Sequence, residues 1–157
     1  MTTRQKSSDF TQAGDPQSFG PPLIGALLRM PWEQVLRRML ARLHEHGFDD
    51  LDGPHLNLLL YPGPQGARPS ELAARRGMSK QAVNYLLGEL ERLGYLERRA
   101  DPDDRRSKRV ALTSRGERAA YTIRDAVHGI EQDWEKQLGQ KRFAQLRSLL
   151  LELNTLA

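Results

Sequence analysis

Residues 101–113 read DPDDRRSKRVALT, and their first six positions hold three acids and two arginines. Working outward, the period changes after Gly94 from helical to alternating. The spacing predicts a strand from Tyr95, a turn over Asp101–Arg106 and a return strand ending at Leu112. Leu96, Val110 and Leu112 are expected to point inward and anchor this hairpin, with Arg98, Lys108 and Ala111 facing largely the other way. The tip is too polar to be buried. Arginines on a projecting loop, here Arg105 and Arg106 with Lys108 behind them, are the residue type that enters a narrow, electronegative minor groove. Asp104 is assigned a structural part, pairing with a neighbouring arginine to hold the turn. A charged turn standing alone is more often a solvated loop, so its meaning depends on what precedes it.

What precedes it is SELAARRGMSKQAVNYLLGELERLG, residues 70–94. Two short helices, 70–76 and 79–93, are joined by Gly77 and Met78. A small residue at Ala73, a turn glycine at Gly77 and apolar Val83 and Leu86 are what a tight helix-turn-helix angle requires. On a helical wheel Val83, Leu86, Leu87, Leu90 and Leu93 turn inward. Gln81, Tyr85, Gly88 and Arg92 then face outward, with Lys80 and Asn84 on the flanks. Ser79 occupies the N-cap position. Lys80 at the helix N-terminus suits a phosphate, Gln81 and Asn84 can pair bidentately with adenine, and Tyr85 can bond a phosphate or touch a thymine methyl. An ordinary solvated helix face is the plainer alternative for this helix alone. A charged hairpin following directly on it reads instead as a wing.

The rest of the chain supplies a frame. The 157 residues suit one domain of ordinary size. The formal charge is +4 and the pI about 9.7. Between Arg68 and Arg118 stand 13 Lys or Arg against 8 Asp or Glu, a net of +5, which leaves −1 for the remainder. The basic excess thus sits on the helix-turn-helix and hairpin, where a polyanion would be met. There are no cysteines, which excludes disulfides, thiolate metal sites and thiol switches. Apolar runs are too short to span a bilayer and the polar start lacks a signal-peptide core, so a soluble cytoplasmic protein with no membrane partner is expected. Residues 1–20 are expected to form a flexible tail, and residues 21–157 a single domain. Within it, 22–46 forms a long apolar-periodic helix that Pro31 should interrupt or kink, 54–113 forms the winged-helix lobe, and 114–156 forms two long helices broken at Gly139. Phe143, Leu146, Leu149, Leu150 and Leu153 make the apolar stripe of the last helix, which has little else in so small a chain to cover it; a second copy would do so symmetrically. The fold class is therefore mainly α with a small β-hairpin wing, flanked by N- and C-terminal dimerisation helices.

With these elements in order, the sequence resembles the MarR family of bacterial winged helix-turn-helix transcriptional regulators. The motif that carries the resemblance is Leu90-Glu91, Gly94-Tyr95-Leu96, seven residues, Asp104-Arg105-Arg106, six residues, and Thr113-x-x-Gly116. It covers the order of elements over about residues 22–156. At Tyr85 the family more often has Arg or a small polar residue. The resemblance implies a homodimeric repressor with two lobes reading a pseudo-palindrome in double-stranded DNA, nucleoid-associated in the bacterial cytoplasm when bound. A small phenolic or aromatic ligand between the dimer helices and the lobe is implied as well. The absence of cysteine sets this chain apart from the family's thiol-based peroxide sensors.

Trp32, His55, Tyr121 and Trp134 are the residues that could line an aromatic-binding cleft, although aromatics on helical faces more often belong to a core. His44, His46, His55, Asp49 and Asp50 cluster in sequence, but His44 and His46 do not share a helical face, and no metal site or cofactor is expected. No Gly-rich phosphate loop, nucleophile elbow or supported carboxylate pair is present, so catalysis is not expected. A nonspecific or architectural DNA-binding protein, and a winged helix serving as a protein-interaction module, remain as alternative readings.

Overall fold

The computed structural model describes residues 21–156 apart from 61, 64, 103, 105 and 106. The tail read from residues 1–20 lies outside the described residues, as do Arg105 and Arg106. Among the described residues the order is α1 (Ile24–Glu45), α2 (Gly53–Leu59), α3 (Pro69–Arg76), α4 (Lys80–Arg92), β1 (Leu96–Ala100), β2 (Lys108–Leu112), α5 (Ser114–Leu138) and α6 (Gln140–Thr155). No helix among them is long and apolar enough to cross a membrane.

The core lies where the lobe meets α1 and α5. Met39 and Leu43 of α1 and Ile123 of α5 are buried with Leu58 and Leu59 of α2, Leu72 of α3 and Val83, Leu87 and Leu90 of α4. Burying a Leu-sized side chain contributes about 1.5–3 kcal/mol, so this shared cluster is the main force holding lobe to frame. Helices α1 and α5 run antiparallel, as Arg38–Asp133 (2.8 Å) and Arg42–Asp125 (3.3 Å) record. These pairs are exposed and orient more than they stabilise.

Helix α1 continues through Pro31 without the break that a proline can impose. Proline supplies no N–H to the Leu27 carbonyl. Leu27 lies on the exposed first turns, where water can satisfy that oxygen.

In the hairpin, β1 and β2 pair antiparallel with Leu96 opposite Leu112, Arg98 opposite Val110 and Ala100 opposite Lys108. Directly opposed residues share a face. Arg98 and Lys108 therefore lie on the face of Leu96 and Val110, not on the other one; they are exposed because the hairpin runs beyond the core. Arg98 turns back to Glu91 of α4 at 3.1 Å. Ala111, expected to face outward, is buried. The cause is a third short segment: Ala67 bridges Val110 through N–H···O bonds of 3.0 and 2.9 Å, and neighbouring Gly66 lies over Ala111. Gly66 has φ +73°, and a Cβ there would stand 2.7 Å from the Val110 carbonyl oxygen, so this crossing requires glycine.

Candidate nucleic-acid interface

The outward face of α4 is built locally. Helix α3 starts with Pro69 at its first position and ends at Gly77, whose left-handed φ of 59° closes the turn while Met78 N–H returns to the Ala73 carbonyl at 3.1 Å. Ser79 then caps α4, its Oγ accepting from Ala82 N–H at 3.1 Å. Val83, Leu86, Leu87 and Leu90 are buried, which fixes the rotation of the helix. Lys80, Gln81, Asn84 and Tyr85 are consequently all exposed, and Tyr85 keeps 66 % of its surface. Gln81 and Tyr85, expected on the outward face, and Lys80 and Asn84, expected on its flanks, are all exposed there. An amide pair beside an ammonium at a free helix N-terminus offers donors and acceptors to base edges and positive charge to phosphate.

The wing is held by aspartates in two ways. Asp104 Oδ2 accepts from Ser107 Oγ–H at 2.6 Å and the Asp104 carbonyl accepts from Ser107 N–H at 2.9 Å, so Asp104 shapes the turn through Ser107, while the neighbouring arginines expected to pair with it lie outside the described residues. Asp101, placed at a tip judged too polar to bury, is only 1 % exposed. Its carboxylate receives Arg68 Nε at 2.6 Å, and Arg109 Nε lies 3.2 Å away, so two guanidinium groups replace its water. This contact ties the turn end of the hairpin to the residue that caps α3. It also draws Arg68 and Arg109 away from solvent partners and leaves Lys108 exposed beside them. The Asp101 link raises the Arg68 guanidinium above its ordinary value, through the hydrogen bond first and charge second.

A second cluster, unread in the sequence, lies at the other end of α4. Tyr95 is fully buried, its hydroxyl donates to Asp50 Oδ1, and Arg115 Nη2 donates to the Tyr95 oxygen at 3.0 Å and to Asp50 Oδ2 at 2.8 Å. The Arg115 guanidinium also stands 4.5 Å from the ring centre. Burial and the Asp50 hydrogen bond push the phenol up to about 12, so it stays a donor. Asp50 thus serves a hydroxyl rather than the His/Asp cluster in which the sequence had placed it. The Gly94-Tyr95 and Thr113-x-x-Gly116 motifs are the signal that pointed here, since Thr113 Oγ1 bonds the Gly94 carbonyl at 2.6 Å.

The aromatics weighed for a ligand do not converge. Trp32, about half exposed, lines an apolar cleft of about 470 Å³ with Leu36, Met39, Leu56, Leu60 and Arg76. His55 is buried at the start of α2, where its Nδ1 accepts from Asp52 N–H at 3.2 Å and its Nε2 faces Glu89 at 3.5 Å. Tyr121 stands exposed on α5 between two other clefts, and Trp134 lies between α5 and α6 near Phe143.

A family model described as MarR family matches residues 49–107, the lobe from Asp49 through the hairpin turn. The uncharacterized HTH-type transcriptional regulator YkoM of Bacillus subtilis is 33 % identical over 115 residues, covering 68 % of this chain and 73 % of that protein. CouR from Rhodococcus jostii RHA1, solved with p-coumaroyl-CoA, is 26 % identical with a TM-score of 0.66, over 83 % of this chain and 90 % of that one. S. aureus MepR, solved in complex with DNA, shares the fold at a TM-score of 0.69 and 21 % identity, over 87 % of this chain and 100 % of that one. The helix-turn-helix, its wing and the long flanking helices are those of that group: the chain belongs to the MarR family of winged-helix, DNA-binding transcription regulators.

Proposed function

We propose that the protein is a homodimeric, sequence-specific repressor that reads a pseudo-palindromic operator with α4 and its wing, and that a small aromatic or phenolic ligand releases it. The observation that carries this is the outward face of α4: Lys80, Gln81, Asn84 and Tyr85 are exposed together beyond the Ser79 cap while four apolar residues pin the helix from behind. Lys80 serves phosphate, Gln81 and Asn84 base edges, Tyr85 a phosphate or a thymine methyl, and Arg105, Arg106 and Lys108 of the wing the adjoining minor groove.

The dimer is supported by apolar surface at both ends of the chain. Leu23, Ile24, Leu27 and Leu28 at the start and Leu149, Leu150, Leu153 and Leu156 at the finish are exposed in the single chain. An apolar surface that size on a soluble regulator calls for a partner, and a two-fold copy supplies the second reading head. Ligand release is supported by the Trp32 cleft, whose apolar walls and Arg76 suit an aromatic acid, and by the aromatic acyl thioester bound to CouR. His55 and Tyr121 would enter that response only from outside this cleft.

The test is substitution against a selected operator. Gln81→Ala and Asn84→Ala should each weaken binding by about 1–3 kcal/mol and relax preference at one base-pair position. Arg105→Ala and Arg106→Ala should weaken binding with little change in melting temperature and should lower the salt slope. Equal, sequence-independent losses in all four variants would favour an architectural binder instead.

A further inference from the structure

The reading lobe, residues 53–113, joins its helical frame through two chain connections, 46–52 after α1 and the step from β2 into α5. Both are fastened at one side chain. Asp50 lies in the first connection and Arg115 in the first turn beyond the second, and both bond the Tyr95 hydroxyl. Phe48, also in the first connection, packs on the Tyr95 ring at 6.1 Å between centres. Backbone bonds close the same junction: the Tyr95 carbonyl accepts from Thr113 N–H at 3.0 Å, and Tyr95 N–H donates to the Leu90 carbonyl of α4 at 2.8 Å. Tyr95 is thus coupled rigidly to the recognition helix and by its hydroxyl to both arms.

The hydroxyl is not required to fill the core, because a phenylalanine ring occupies the same space. Its two partners both lie outside the lobe. Its contribution is therefore to the angle between lobe and frame rather than to the interior of either. That angle has leverage. Helix α4 has 13 residues, so its reading end lies about 20 Å from the junction at 1.5 Å per residue. A tilt of about 10° there displaces the reading end by about 3.5 Å, close to the 3.4 Å step between base pairs. In a two-fold dimer the displacement is doubled.

We propose that Tyr95, clamped by Asp50 and Arg115, is a positioning residue that sets the half-site spacing the protein accepts. This rests on the two-half-site reading above. Regulators of this architecture need their two heads at a fixed separation, and a single buried hydroxyl bridging both connections holds that separation with little give.

The experiment compares the full-length protein with Tyr95→Phe on duplexes carrying one half-site, and on duplexes carrying two half-sites whose centres are about 8 to about 13 base pairs apart. Circular dichroism melting accompanies each variant. Tyr95→Phe is expected to bind one half-site within about twofold of the unsubstituted protein. It should lose about tenfold at the best spacing, with a flattened dependence on spacing. Asp50→Asn, which keeps an acceptor oxygen, should retain the spacing optimum, and Asp50→Ala should lose it. An unaltered spacing profile in Tyr95→Phe overturns the proposal, as does a loss of the same size on one and two half-sites, which would mark the hydroxyl as merely structural. If the unsubstituted protein itself binds one and two half-sites alike, the dimeric reading fails first and the positioning role falls with it.

Discussion

Gly116→Ala is expected to destabilise the protein by on the order of 3 kcal/mol or more, the upper range of overpacking, lowering the melting midpoint by roughly 10 °C for a chain of this size. Gly116 is buried in the first turn of α5, where a Cβ would overlap the Tyr95 carbonyl oxygen and stand 3.1 Å from Leu112 Cδ2. The Tyr95 carbonyl cannot withdraw. The Tyr95 carbonyl is held by Thr113 N–H, and the Tyr95 ring is wedged among Phe48, Asp50 and Arg115. The glycine is needed for close approach, not for backbone freedom, because its own turn is ordinary helix capped by Thr113 Oγ1 at 3.1 Å. Thermal melting followed at 222 nm checks the prediction. A midpoint within a degree or two of the unsubstituted protein would show that the junction between α5 and the wing is looser than this packing implies.

The second large effect is expected from charge in the exposed apolar surface. Leu27→Asp combined with Leu153→Asp removes only part of a side chain's packing at each position, since both are about half exposed. In a dimer it would bury carboxylates without partners, a cost no apolar interface of this kind sustains. Sedimentation should change from a dimer to a monomer at micromolar concentration. Operator affinity should fall by about 10² or more, because binding through two linked heads exceeds one head by that order. Affinity for a duplex with one half-site should change little. A variant that still sediments as a dimer would place the interface on another face of the molecule.

How much of this was legible in the sequence follows the range of the contacts involved. Helix α4 was readable because everything that orients it is local: the Ser79 cap, the Gly77 turn and the period of Val83, Leu86 and Leu90 lie within one short segment. Asp101 was misjudged because its partner Arg68 lies 33 positions earlier, and a carboxylate in a charged turn looks solvated until its cations are placed. The Tyr95 junction was signalled by its motif residues, but its side-chain partners were not readable for the same reason, with Asp50 45 positions before it and Arg115 20 after. The hairpin faces were misassigned at Arg98 and Lys108 by setting charge above the strict period of two, whereas Ala111 lies on the opposite face as expected and is buried there by the segment 66–67. The α6 stripe was readable as apolar, but only Phe143 of it is buried within the chain. Hydrophobic periodicity records that a face is to be covered and not which chain covers it.

Two α4 helices are expected to read two half-sites in a defined sequence. This is tested most directly by selecting bound duplexes from a random DNA pool with the purified protein, then titrating the winner against scrambled DNA at near-physiological salt. The winner should be pseudo-palindromic, with half-sites about one helical turn apart, and bound at least about 10³ more tightly than the scrambled duplex. Enrichment of no sequence, with weak and salt-sensitive binding to every duplex alike, would contradict that expectation.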